Sequence, residues 1–238
     1  MTAEIVTAMM TPDFVLWRCL HDGPLSSDMI EDSDSAPGGT RARYRARNKA
    51  LLTKLTELYG ACAVMARSGE IIVGMLRFYP KAVWQKEGAG FLCLQQDFPA
   101  GPRDDFASCE FPRRGDLGDQ TLKVHCLMTR SPGTEGHLFR RLGIGTKMAQ
   151  RLIEWAGESG WKRIEAEAFE DLPVVYEVTG SAGRTFWEKL GFHVAGRFPH
   201  PYLREPCEFV TRLEKEAANA GIGVDKAKDS IVMRLDLA

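Results

Sequence analysis

Apolar and polar positions alternate along this chain with two periods, one near two residues and one near 3.6, and the switches between them divide it into strands and helices. Residues 5–9 form a short apolar run that predicts a strand. Thr11-Pro12-Asp13 follows as an N-cap, a first-turn proline and an acid suited to the helix dipole, which predicts a helix carrying Phe14, Leu16, Trp17 and Leu20 inward and ending near Gly23-Pro24. Residues 26–39 are acidic and rich in serine, glycine and proline, hence a loop. Leu51, Leu52, Leu55 and Leu58 recur at helical spacing ahead of Gly60, predicting a helix over 41–59. Two apolar runs, 61–67 and 71–79, flank Ser68-Gly69-Glu70 and read as a hairpin. Phe91 to Leu94 is a candidate further strand, and 97–119, loaded with proline, glycine and charge, is an excursion from the sheet. Residues 121–128 predict a strand, and 143–155 a helix with Ile144, Met148, Leu152 and Trp155 on one face and Gly157 and Gly160 beyond its end. Strand 163–169, helix 182–190 closed by Gly191, strand 192–197, a helix over 203–220 weakened by Pro206 and strand 231–237 complete the series.

Hairpin strands mixed with one central strand–helix–strand unit point to an α/β fold, a three-layer sandwich around a mixed sheet. A doubly wound parallel sheet would need regular alternation instead. The 238 residues read as one domain: 1–60 an N-terminal strand and two helices, 61–197 the core, 198–238 a closing helix and strand, with a long insertion at about 82–120.

Composition narrows the function. Lysine and arginine number 31 against 32 acidic residues, a formal net charge of −1, so no global field recruits nucleic acid or an anionic membrane. The basic start of the second helix (Arg41, Arg43, Arg45, Arg47, Lys49) reads as a solvated face. Six cysteines (Cys19, Cys62, Cys93, Cys109, Cys126, Cys207) lack the close pairing of a zinc site and read as free thiols, so no metal is expected. The first ten residues carry Glu4 and no basic leader, and no segment approaches the roughly 20 apolar residues of a membrane span, so a cytoplasmic protein is expected.

The chemistry concentrates where the strand Val124-His125-Cys126-Leu127-Met128 leads through a loop to Arg140-Arg141-Leu142-Gly143-Ile144-Gly145-Thr146 and directly into a helix. Glycines at 143 and 145 let a ligand approach the backbone and allow dihedrals that other residues resist. The first turn of a helix offers unpaired N–H groups and a positive partial charge, and the two arginines add side-chain charge. This is an anion cradle. It is not a P-loop, because Thr146-Lys147 reverses the required order, and it lacks the third glycine of a dinucleotide fingerprint.

Arg140-x-x-Gly143-x-Gly145 resembles the Arg/Gln-x-x-Gly-x-Gly/Ala signature of the GNAT N-acetyltransferase superfamily, and it lies between a strand and a helix as in that family. A second block, Arg184-Thr185-Phe186-Trp187-Glu188-Lys189-Leu190-Gly191-Phe192, is similar to the family's late helix that ends in an aromatic, a spacer and Gly-Phe. The resemblance is specific from Val124 to Arg197 and topological before it. It implies an α/β/α sandwich with a mostly antiparallel sheet splayed between its fourth and fifth strands, and acetyl-CoA as the acyl donor. It further implies that backbone groups of Leu127 and Met128 pair with the pantetheine arm, that Arg140, Arg141, Leu142, Gly143, Ile144, Gly145 and Thr146 hold the pyrophosphate, and that Ser181, Arg184 and Phe186 line the distal side. The implied reaction is direct attack by an amine of a small molecule or protein, with a base for its proton and an acid for the leaving thiolate. Relatives in that family often dimerise, so a homodimer is a further expectation.

Two departures matter. The link 129–139 is longer than usual, and Trp187 stands where the family presents a tyrosine acid; indole has no suitable pKa. Tyr176, Tyr202, His125 and Cys126 are candidates for the missing proton chemistry, with Glu110 a conceivable base. The pKa of about 6.5 of a free imidazole suits His125 to proton transfer, but alternation along the strand does not decide which face it occupies; Cys126 is expected on the opposite one. Loss of the tyrosine also motivates an alternative, a catalytically impaired acyl-CoA-binding regulatory or interaction module.

Overall fold

The computed structural model describes residues 4–17, 20, 25–26, 40–87, 110–129, 142–178, 182–200 and 203–238. The strands are β1 (Ile5–Met9), β2 (Leu25–Ser26), β3 (Ala63–Ser68), β4 (Ile71–Pro80), β5 (Thr121–Thr129), β6 (Arg163–Ala168), β7 (His193–Pro199) and β8 (Asp229–Asp236). The helices are α1 (Thr40–Tyr59), α2 (Lys81–Glu87), α3 (Ile144–Glu158), α4 (Pro173–Val178), α5 (Arg184–Glu188), α6 (Glu208–Asn219) and α7 (Val224–Ala227). Among the described residues no helix is long and apolar enough to cross a membrane.

One sheet runs in the order β1-β3-β4-β5-β6-β8-β7, with the two-residue β2 paired to the start of β4. Every ladder is antiparallel except β5·β6. The hairpin predicted around Gly69 is present, with Ser68 paired to Ile71 and Gly69 at φ 59°, a left-handed conformation that glycine adopts without strain.

Helix α3 lies on one face of the sheet. Gly74 makes that approach close: a Cβ there would sit 3.0 Å from Ile144 Cγ2 and Met148 Cε and 3.1 Å from Ala66 Cβ. Phe78 meets Trp155 of α3 on the same face, ring centroids 5.2 Å apart. On the other face the guanidinium of Arg77, fully buried, donates to the carbonyl of Leu16 at 2.5 Å, and Asn48 of α1 donates to the carbonyl of Trp17 at 3.0 Å. Helix, sheet and helix thus form three layers, and their apolar contacts merge into one cluster that includes Leu16, Leu55, Phe78, Met148 and Trp187. A second, smaller cluster joins α4 to α6 through Val174, Val175, Val210 and Leu213.

The helix predicted over Phe14–Leu20 is not formed in the described part. Thr11 and Phe14 make a one-residue bridge, and residues 15–17 run on without helical bonds. Val15, Leu16 and Trp17 are buried consecutively, which a helix lying on a sheet cannot do, and the carbonyls a helix would use are taken by Arg77 and Asn48. The insertion is anchored at both ends. It opens with α2, and after residue 109 Phe111 and Leu117 are buried, Pro112 accepts a 2.7 Å bond from Tyr59, and the guanidinium of Arg114 lies 4.7 Å from the centroid of the Trp161 ring. The candidate strand 91–94 lies outside the described residues.

Candidate active site

β5 and β6 begin side by side and then part. They pair in parallel at Thr121↔Arg163, Leu122↔Ile164 and Lys123↔Glu165, and no further. β6 turns its remaining length to β8, through Ala168↔Ile231. From Val124 to Thr129 β5 keeps β4 on one side, and no described strand continues the ladder on the other. The result is a wedge inside the sheet, open between its fourth and fifth strands in spatial order, with main-chain groups of Leu127 and Met128 on its wall.

The head of α3 lies at that wedge. Gly143 is its N-cap at φ 69°, no described side chain caps the helix, and no acidic residue occupies the first turn. The N–H of Lys147 bonds back to the Gly143 carbonyl, which leaves the earlier amides of the turn as free donors. A Cβ on Gly143 would meet nothing within 4 Å, while one on Gly145 would touch Leu127 Cδ2 and Phe186 Cε2, each at 3.6 Å. Thus β5, α3 and α5 converge on Gly145. Leu142 is exposed at 44%, as expected of a residue at an open mouth. An uncapped, acid-free helix start beside glycine fits the diphosphate of a coenzyme. Arg140, Arg141, Ser181 and Tyr202 lie outside the described residues.

His125 is the extra residue of a β-bulge. Arg77 pairs with Cys126, and the next residue of β4, Phe78, pairs with Val124, so two residues of β5 oppose a single step of β4. Its imidazole packs against Tyr79 (5.7 Å between centroids) and Trp84 of α2 (5.1 Å), on the face opposite α3. Cys126, paired with Arg77 and within electrostatic reach of Tyr79, lies on that face too. The expectation that strand alternation separates His125 from Cys126 is corrected by the bulge. Burial drives the Tyr79 phenol far above its ordinary range, and pushes the thiol of Cys62 up to about 11, so neither supplies a proton carrier near neutrality.

On the late helix the geometry divides the roles differently from the motif. Trp187 is 2% exposed and packs into the core between Phe186 and Phe192, with centroids 5.0 Å from each. Phe186, its neighbour, is the ring that reaches Gly145. Arg184 directs its guanidinium to Glu170 (3.8 Å) and Glu188 (3.3 Å). Glu170 is nearly buried and also binds Arg197 at 2.8 Å and Lys226 at 3.7 Å, tying α5 to β7 and α7.

Tyr176 stands on α4, for which Pro173 at the first position is the sequence signal. Its hydroxyl donates to Asp171, whose other oxygen accepts from the Thr185 N–H at 2.9 Å and from the Thr185 hydroxyl at 2.5 Å. Burial of the ring and the hydrogen bond to Asp171 hold the phenol above its usual range. A Cβ on Gly183 would fall 2.3 Å from both Asp171 Oδ1 and the Tyr176 hydroxyl, so a larger residue there would displace this pair. Glu110 is exposed.

The mostly antiparallel sheet and its splay between the fourth and fifth strands in spatial order are those implied by the sequence resemblance. The fold is of the GNAT type. Solved structures with a similar arrangement include an acetyltransferase of the GNAT family from Streptococcus pneumoniae (12% identity, 99% of this chain and 100% of that chain covered, TM-score 0.49). An N-acetyltransferase from Staphylococcus aureus Mu50 (12%, 99% and 100%, 0.47) and a GNAT family acetyltransferase from Elizabethkingia anophelis with acetyl-CoA bound (14%, 98% and 98%, 0.45) are further examples. At these TM-scores the strand order and the splay, not the overlap, define the fold. No family model matches the sequence, and no curated protein does.

Proposed function

We propose that this chain is an acetyl-CoA-dependent N-acetyltransferase that moves an acetyl group to an amine of a small molecule or protein by direct attack. The observation that carries the reading is the junction of the β5/β6 wedge with the start of α3: a groove along whose wall no described strand takes up the main-chain groups, with amide donors at its mouth. Leu127 and Met128 would hold the pantetheine arm by their backbone, and the turn from Gly143 to Thr146 the pyrophosphate. Bound there, acetyl-CoA supplies an activated thioester. His125, packed against Trp84 and partly exposed, is the group suited to accept the proton of the incoming amine on the face opposite α3. Positioning supplies much of the rate in such a groove.

A second reading, an acyl-CoA-binding module without turnover, is favoured by one observation: Trp187 faces the core and the Tyr176 proton is given to Asp171, so neither presents an acid to a thiolate. Two measurements decide. Calorimetry with acetyl-CoA should give a saturable isotherm, and no heat at high micromolar ligand would overturn both readings. Thiol release from acetyl-CoA across a panel of amines should appear if transfer occurs; binding without release leaves the module.

A further inference from the structure

On the face of the wedge opposite α3, one cation has no acid among the described residues. Glu165 of β6 is buried at the last paired position before the strands part, directly across from Lys123. It does not pair with Lys123. Its carboxylate is taken by Lys81 at 2.8 Å and by Arg234 at 2.9 Å. Burial alone would raise its pKa, but these two partners outweigh burial and hold it below the ordinary carboxylate range. Three cations therefore surround one carboxylate that is already doubly satisfied.

The ammonium of Lys123 lies instead over the ring of Trp84, 4.6 Å from its centroid. Among the described residues it has no carboxylate partner. The same indole packs against His125. Lys123 and His125 are two residues apart on β5, a spacing of about 7 Å along a strand, and ordinary alternation puts both on the face opposite α3. An amine presented to His125 would therefore carry any substituent a few bonds away into reach of the Lys123 ammonium, with Trp84 as the wall between them.

We infer that the acceptor is an amine that also bears an anionic group, a carboxylate or a phosphate, and that Lys123 binds that group while His125 faces the amine. The inference rests on the transferase reading and deepens it. An ammonium parked on an aromatic face in the absence of an acid is a ready partner for an anion, and pairing with a charged group contributes more to recognition than a neutral hydrogen bond. A site built around such a pair discriminates against the analogue that lacks the anion.

The test is calorimetry on protein saturated with coenzyme A, titrated in separate arms with β-alanine, 3-aminopropyl phosphate and propylamine, each repeated with Lys123→Met and Lys123→Arg. Thiol release from acetyl-CoA is measured on the same amines. The expected result is that an anionic amine binds at least about tenfold more tightly than propylamine, that Lys123→Met abolishes this preference, and that Lys123→Arg retains it. In turnover the Lys123→Met change should raise KM for the anionic amine and leave kcat within about twofold, since only recognition is removed. The stronger of the two anionic arms names the group. Equal binding of all three amines, or a preference that survives in Lys123→Met, overturns the inference. So does self-acetylation of Lys123 seen by mass spectrometry, which would make that residue an acceptor. Anionic binding without thiol release sinks the transfer reading and leaves the recognition site standing.

Discussion

His125 and Cys126 are consecutive in the chain, yet both face Tyr79 on the same side of the sheet. Either residue could then be imagined to touch the acyl group, and substitution separates them. His125→Ala should lower kcat by roughly 10²–10⁴ while the acetyl-CoA Kd stays within twofold, as removal of a proton acceptor does. Cys126→Ala should keep most of the turnover, because direct attack needs no thiol. A Cys126→Ala enzyme as inactive as His125→Ala, with an acyl group trapped on Cys126 in the parent, would replace direct attack by a covalent route.

The glycines at the head of α3 lend themselves to a binding test. Gly143→Ala forces a side chain into the left-handed region, at a cost of about 1 kcal/mol, with no steric clash to add to it. Gly145→Leu extends a side chain toward Leu127 and Phe186, where the three elements meet. Acetyl-CoA should bind at least about tenfold more weakly to Gly145→Leu, with a smaller loss for Gly143→Ala. Titrations that superimpose on the wild type would remove the diphosphate from this turn.

Trp187 makes the reverse prediction about catalysis. Because the indole is packed between Phe186 and Phe192, Trp187→Tyr should not raise kcat, although it restores the residue type usual in the resembling family. Trp187→Ala should cost about 3–5 kcal/mol of stability through the cavity it leaves. Denaturant unfolding and steady-state rates measure the two effects, and a gain in kcat for Trp187→Tyr would place the hydroxyl at the thiolate instead of in the core.

Asp171 supplies a pH dependence whose sign is fixed. Burial tends to raise its pKa, but the hydrogen bonds from Thr185 and Tyr176 prevail and leave it below 3.8, the ordinary value. A depressed folded-state pKa stabilises the fold above the unfolded value, and that contribution fades as pH falls through the lower folded one. At neutral pH Asp171→Asn should be less stable by about 1 kcal/mol. The gap between variant and wild type should close as pH drops below 3.8. A gap that widens in acid would contradict the hydrogen-bond pattern.

Sequence periodicity was enough for α1, α3, the β3–β4 hairpin and the strands that follow, because each puts a continuous apolar stripe or alternation against the core. The helix expected at Phe14 failed because its capping letters are local, whereas Arg77 and Asn48, which take its carbonyls, are far along the chain. The cradle glycines were legible, since a helix start without a capping side chain is written in adjacent letters. The bulge at His125 was not: register belongs to the pairing of two strands and appears in neither alone. The same holds for the Lys123 ammonium, whose contact with Trp84 joins residues on different elements.

β8 lies between β6 and β7, although it is the last strand in sequence. During synthesis β7 therefore emerges from the ribosome before the strand it must hydrogen-bond to exists, and β6 waits beside β5 with its other flank bare. The outer portion of the sheet closes by insertion of a late strand between two waiting ones, a non-local step of the kind that slows folding and leaves edges exposed meanwhile. A chain truncated just ahead of Asp229 should thus present β7 to proteases that the full-length protein resists.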